Sequence, residues 1–323
     1  MAQETRIVII VNKYWECDPV CWVLTNKYIN DNGQCNIDLD FNHTCQLITY
    51  PNYGPVKPKT AAESKPRMVF RANSKIIEIW CISDLLSNSA PDLQSSSEEK
   101  MKLLPIIFNY SNLTIELVVA VGTASSGPSV PLNPLFKTDN INGSVVIGSN
   151  VFLHNGWDPD SKSNFKCDCW GQILGSGSNS FIKELQKDDL TAYETLLLSP
   201  PTNPSPVGQH FYVKESFVAL GDVNVTDYSK YAQKDEDTGN EFIAKYFGNI
   251  DGCSLETTHC LIYLAAKYHN QDIPAPFIFV SGIVDRYTRF SEDVHKIYAQ
   301  NVSGAHNAGV AIAYIISKFI NQK

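Results

Sequence analysis

Three carboxylates and one run of small residues mark where this sequence could do chemistry. Asp285 follows Pro276 to Val284, an apolar, β-branched and aromatic run that reads as a strand covered on both faces, and it falls just past the strand's end. Open α/β sheets bind ligands beyond the carboxyl ends of their strands, so a carboxylate there is placed for chemistry. Its apolar neighbours Ile283 and Val284 would disfavour the charged form and let it hold a proton near neutral pH, as a general acid must. The same residue could instead cap a helix or pair with Arg286. Glu256 and Glu16 each fall in the first turn of an expected helix, where the helix dipole favours a carboxylate whether or not it acts on anything. Between them runs Gly122-Thr123-Ala124-Ser125-Ser126-Gly127-Pro128, whose small side chains would let backbone amides and hydroxyls approach a ligand.

The elements that must position these groups alternate between strand and helix. Ile7 to Val11 reads as a first buried strand, and residues 13–26 as a loop entering a helix with Glu16 or Asp18 in its first turn and Pro19 at an early position. Cys45 to Tyr50 and Met68 to Phe70 read as short strands around a Pro/Lys/Ser-rich loop, Pro51 to Pro66. Ile76 to Leu86 is a strand running into a helix or turn. Residues 90–99 are an exposed connection or helix start, and Met101 to Tyr110 has helical spacing. Leu117 to Val121 is a strand that ends directly in the small-residue loop. Val145 to Ile147 and Val151 to Leu153 form a strand pair or one bent strand ending at His154, and Phe217 to Leu220 is a strand stopping at Gly221-Asp222. Residues 161–180 and 196–208 read as loops, 241–247 as a short helix, Ser254 to Tyr268 as a long helix, and Ala305 to Ile320 as a closing helix containing Gly309. With no repeat and no linker composition, the expectation is one α/β domain over residues 1–323, a three-layer α/β/α sandwich around a central mixed sheet.

Composition narrows the partners. The 34 acidic residues outnumber the 26 basic ones and no basic stripe appears, which argues against a nucleic-acid backbone or an anionic membrane as partner. No leader and no transmembrane run is apparent, and the nine scattered cysteines fit reduced thiols, so a cytoplasmic location is expected. Cys167 and Cys169 lack the spacing and the second pair of a zinc site.

Taken in order, these segments resemble the purine nucleoside phosphorylase and nucleosidase superfamily, and most of all its methylthioadenosine/S-adenosylhomocysteine nucleosidase branch. The resemblance runs from Ile7 to the last helix with long insertions. Val121 to Gly127 is similar to the family's Thr-Gly-Ser-Ala-Gly-Gly loop, Val145 to Gly148 with Leu153-His154-Asn155 to its Val-Val-Ser-Asp strand and Tyr-His-Asp end, and Leu220-Gly221-Asp222 to its Ser-Gly-Asp segment. Ser254-Leu255-Glu256 is similar to its Asp-Met-Glu, and Ala275 to Asp285 to its Val-Pro-Phe-Val-Val-Val-Arg-Ala-Ile-Ser-Asp strand.

The resemblance implies cleavage of the N-glycosidic bond of a purine nucleoside or derivative, with adenine the first choice of base. It makes Asp285 the general acid and Glu16 the residue that handles the nucleophilic water, with Asp18 nearby as its competitor. Glu256 with Leu255 would hold the ribose hydroxyls, with Gly122 and Thr123 beside ribose and water. Two positions depart from the pattern: Asn224 stands near the place of the family's base-stacking aromatic, and Ser281 replaces its arginine near the last strand end. Tyr212, Phe211, Phe217 or Trp157 would have to stack on the base instead. Phosphorolytic relatives hold phosphate with arginines, and none lies in Leu117 to Val121, so hydrolysis is expected ahead of phosphorolysis. Arg67, Arg71 and Arg286 are the cations that could still serve phosphate. A non-catalytic nucleoside-binding relative is the other reading. No metal or organic cofactor is implied, the partner is a small purine nucleoside or nucleotide, and a homo-oligomer is expected.

Overall fold

The computed structural model describes residues 3–26, 39–56, 63–85, 97–126, 140–153, 173–175, 179–202, 206, 208–221, 253–269, 275–286, 293 and 297–322. Twelve strands among them join into one mixed sheet: β1 (Thr5–Val11), β2 (Gln46–Thr49), β3 (Met68–Ala72), β4 (Lys75–Cys81), β5 (Thr114–Ser126), β6 (Val145–Gly148), β7 (Asn150–Leu153), β8 (Ile173–Gly175), β9 (Phe211–Val213), β10 (Val218–Gly221), β11 (Cys253–Glu256) and β12 (Phe277–Arg286). The helices are α1 (Tyr14–Leu24), α2 (Asp40–Thr44), α3 (Ile82–Leu85), α4 (Ser97–Phe108), α5 (Ser180–Leu185), α6 (Thr191–Glu194), α7 (His259–His269) and α8 (Ile297–Asn321).

The unbroken apolar strands are buried on both faces because each face carries its own core. Ile7, Ile9 and Val11 of β1 point into a cluster with α1, α2, α5 and α8, while Val8 and Ile10 point into a second cluster with α3, α4 and α7. β5 and β12 divide in the same way, Val119 and Ile278 to one side, Ala120 and Phe279 to the other. Helices therefore cover both faces, giving the three-layer arrangement. None of the helices among the described residues is long and apolar enough to cross a membrane.

β5 is the hub. One edge runs parallel to β12 from Val118 to Ser126. The other runs parallel to β1 as far as Val121, opposite Val11, and is then taken over antiparallel by β11, with Leu255 opposite Ser125. Gly122, Thr123 and Ala124 therefore occupy an interval between two strands on that edge. Behind it, β12 and α8 approach until Gly282 and Gly304 touch: a Cβ on Gly282 would lie 2.0 Å from the Gly304 carbonyl oxygen.

Several sequence expectations are corrected. The small-residue stretch does not begin a loop at Gly122, because pairing with β12 carries the strand on to Ser126. Asp285 lies inside β12 rather than past it, at a register shift between Ile283 and Asp285. Glu256 ends strand β11, and the helix expected from Ser254 begins only at His259. Pro19 is the sixth residue of α1, where it removes the amide that would bond the Trp15 carbonyl. β6 and β7 do not pair with each other, since β6 joins β12 and β9 while β7 joins β10 and β8. Residues 173–175 are strand and Ser180 starts a helix, within the loop expected there. His154, Asp222, Asn224, Trp157, Cys167, Cys169, Arg289 and residues 241–247 lie outside the described residues.

Candidate active site

Glu16 enters the site because α1 starts immediately after β1. Its Oε2 accepts the Lys13 amide (3.0 Å) at the start of α1, which fixes the side chain, and its Oε1 reaches across to β5. There it accepts from the Thr123 amide (2.8 Å) and the Thr123 hydroxyl (2.5 Å). That amide sits on the stretch of β5 edge that neither β1 nor β11 pairs, so the carboxylate completes the edge. Glu16 is buried, and four hydrogen-bonding groups thus meet at the C-terminal end of the central strands.

Glu256 is held from the opposite side. Its Oε1 accepts from the His259 amide (2.7 Å) and its Oε2 from the Thr258 amide, so it closes the N-terminus of α7 from the end of β11. Nδ1 of His259 lies 3.2 Å from Oε2 of Glu256, and Nε2 of the same ring is 3.2 Å from the Ser281 hydroxyl, itself 2.8 Å from the Ser254 hydroxyl. The His259 ring also faces Gly122: a Cβ there would be 3.3 Å from Cε1 of His259 and 3.7 Å from Oε1 of Glu16. Glycine at 122 thus leaves room for the imidazole beside the first glutamate, and one ring spans the interval between the two carboxylates.

Asp285 flanks the same strand from its other edge, opposite Ser125, whose other neighbour is Leu255. Burial pushes its carboxyl up to about 6, a hydrogen bond with Ser125 works against the shift, and the charge of Asp293 adds to it. Its Oδ1 is buried with no hydrogen-bond partner among the described residues. Arg286 turns to Asp293 instead, with Nη2 2.7 Å from Oδ1 and Nε 3.0 Å from Oδ2. Ser281 is fully buried within the serine–histidine chain, and Leu255, paired with Ser125, is buried as well.

Two groups went unnoticed in the sequence. His259 falls in a segment read as the second turn of a helix. Lys100 precedes Leu104, Ile107 and Phe108 on one face of α4, so a lysine at the apolar spacing was the available signal. Only 3% exposed, it places Nζ 3.4 Å from the Thr257 hydroxyl and 3.3 Å from that of Thr258. The four described arginines all pair with carboxylates: Arg6 with Glu78 (2.7 Å), Arg67 with Asp18 and Asp84, Arg71 with Glu4 (2.6 Å) and Arg286 with Asp293.

No protein-family model and no curated protein sequence matches the chain. Solved structures do. The 5'-methylthioadenosine nucleosidase of Arabidopsis thaliana aligns over 100% of this chain and 98% of its own at 14% identity, with a TM-score of 0.51. A protein of Francisella philomiragia assigned as a 5'-methylthioadenosine/S-adenosylhomocysteine nucleosidase gives 0.51 at 11% identity, over 96% and 98% of the two chains. One of Borrelia burgdorferi with the same assignment, bound to adenine, gives 0.50 at 11% identity, over 96% and 99%. At such identities the likeness is one of fold, and it spans essentially the whole of each chain: the protein has the fold of these nucleosidases.

Proposed function

We propose that the protein hydrolyses the N-glycosidic bond of a purine nucleoside or a derivative of one, with adenine the first candidate for the base. The observation that carries the reading is Asp285, a buried carboxyl held up to about 6 with one oxygen unpartnered among the described residues, on the strand next to β5, which organises Glu16 and Glu256 from its other edge. In this reading it delivers a proton to the departing purine, since a leaving base must be neutralised as the bond breaks. Glu256 accepts from the ribose hydroxyls through lone pairs left over from its two amide bonds, and its charge offsets the positive charge developing on the sugar. Glu16, oriented by Lys13 and Thr123, holds the attacking water. Gly122, Thr123 and Leu255 line the sugar side, and Asn224 and Ser281 stand at the two positions where this chain departs from the family pattern.

Water is favoured over phosphate as nucleophile because each of the four described arginines already has a carboxylate partner. Incubation with a panel of purine nucleosides and nucleotides, with and without inorganic phosphate, and chromatography of the products tests the reading. Free base should appear at the same rate in both conditions. Base release that requires phosphate would make the protein a phosphorylase, and tight nucleoside binding without any release would make it a binding protein.

A further inference from the structure

Lys100 is a nearly fully buried ammonium that forms no ion pair among the described residues. Its contacts are two hydroxyls at 3.3 and 3.4 Å, weak satisfaction for a charge removed from water. Those hydroxyls belong to Thr257 and Thr258, the turn whose Thr258 amide and neighbouring His259 amide grip Glu256. The Thr257 hydroxyl also receives Nδ2 of Asn12 (3.5 Å), which ties the turn to the end of β1, one residue before Lys13 and four before Glu16. A lysine serving only the packing of α4 would be costly here, whereas a charge serving the site has a reason to be buried.

We propose that Lys100 is a positioning residue: its ammonium fastens the Thr257–Thr258 turn that grips Glu256. The proposal rests on the hydrolytic reading above. The groups acting on Lys100 come from every side of it. Burial lowers its pKa to about 8, with Lys13 adding to the shift, while Glu256, Glu16 and Cys260 oppose it. His259 lies with its Nδ1 3.2 Å from Oε2 of Glu256. The ammonium is therefore present at neutral pH and is lost in the mildly alkaline range.

The test is a set of pH profiles of kcat/KM, measured on the nucleoside that the wild type cleaves, for wild type, Asp285→Asn, Lys100→Met and Lys100→Arg. Wild-type activity should fall about tenfold per pH unit above 6, as Asp285 ionises, and more steeply from about 8, as Lys100 loses its charge, until it meets the profile of Lys100→Met. Lys100→Arg should keep most of the activity and lose the second break, because arginine does not titrate there. Lys100→Met should lose roughly ten- to a hundredfold at pH 7, also without the second break, yet melt no lower than wild type, since a buried charge has been removed. Lys100→Met that matches wild type, or Lys100→Arg that keeps the break near 8, overturns the proposal alone. Release that survives Asp285→Asn overturns the assignment of Asp285 as the acid, and no base released by the wild type overturns the hydrolytic reading and this proposal together.

Discussion

Asp285 and Glu16 make separable predictions at the scale of single residues. A carboxyl whose folded pKa is raised to about 6 destabilises the folded state once the pH exceeds its unfolded value near 4, and the penalty is complete above 6. Asp285→Asn should therefore be about as stable as wild type at pH 4 and up to about 3 kcal/mol more stable at pH 8, by urea unfolding at the two pH values. Its base release should fall by at least ~10²-fold at pH 6. Wild-type stability at pH 8 already equal to that of the variant would mean that burial does not raise this carboxyl. At Glu16, Thr123→Val removes one of the two bonds on Oε1 and leaves the amide, so kcat should drop by roughly tenfold, whereas Glu16→Gln should cost ~10²-fold or more. That these carboxylates lie near the ends of central strands was legible, because each follows or ends an apolar run. The surroundings of Lys100 and His259 were not, because their partners come from distant elements, Thr257 and Thr258 for the lysine, Ser281 for the imidazole.

Unbroken apolar runs identified β1, the middle of β5 (Leu117 to Val121) and most of β12, since a strand with helices on both faces buries every residue. The ends of elements were harder to read. Leu255, Leu261 and Ile262 are all buried at helical spacing, yet Leu255 belongs to β11, because pairing with Ser125 and with Leu220 outweighs the local pattern. The small residues 122–126 look like loop, and become strand because β12 lies along their whole length. The contact of β12 with α8 depends on glycine at both positions. A Cβ on Gly304 would lie 2.4 Å from Cγ1 of Val284, and one on Gly282 would strike the Gly304 backbone, which cannot rotate away. Gly282→Ala should thus destabilise by roughly 3 kcal/mol or more, and Gly304→Ala by less, because a side chain can adjust. Chemical unfolding separates them, and Gly282→Ala should also lower base release by displacing Asp285 three residues along the same strand.

Across the whole molecule, charge is buried in places that the net balance of the sequence does not reveal. Arg67, fully buried, binds Asp18 and Asp84 at once and donates to the Gly54 carbonyl (2.9 Å), fastening α1, and with it Glu16, to the segment after β4. Charge counting anticipated neither this cluster nor the pairing of Arg6 with Glu78, because pairing partners are set by the sheet order and not by nearness in sequence. Burial raises the pKa of Asp18 and of Asp84 even with the guanidinium beside them, and Arg67 limits the rise. Replacing the arginine removes that restraint and leaves two carboxyls together in low dielectric. Arg67→Met should therefore destabilise by about 3–5 kcal/mol at pH 8. The sign of its pH dependence follows from the same rise: both aspartates would hold protons to higher pH when folded than when unfolded, so stability is retained below pH 4 and lost as the pH increases. Unfolding of Arg67→Met and wild type at pH 5 and pH 8 measures this. A penalty that is smaller at pH 5 assigns the cluster its electrostatic role, and an equal penalty at both values would make Arg67 a packing residue whose charge is incidental.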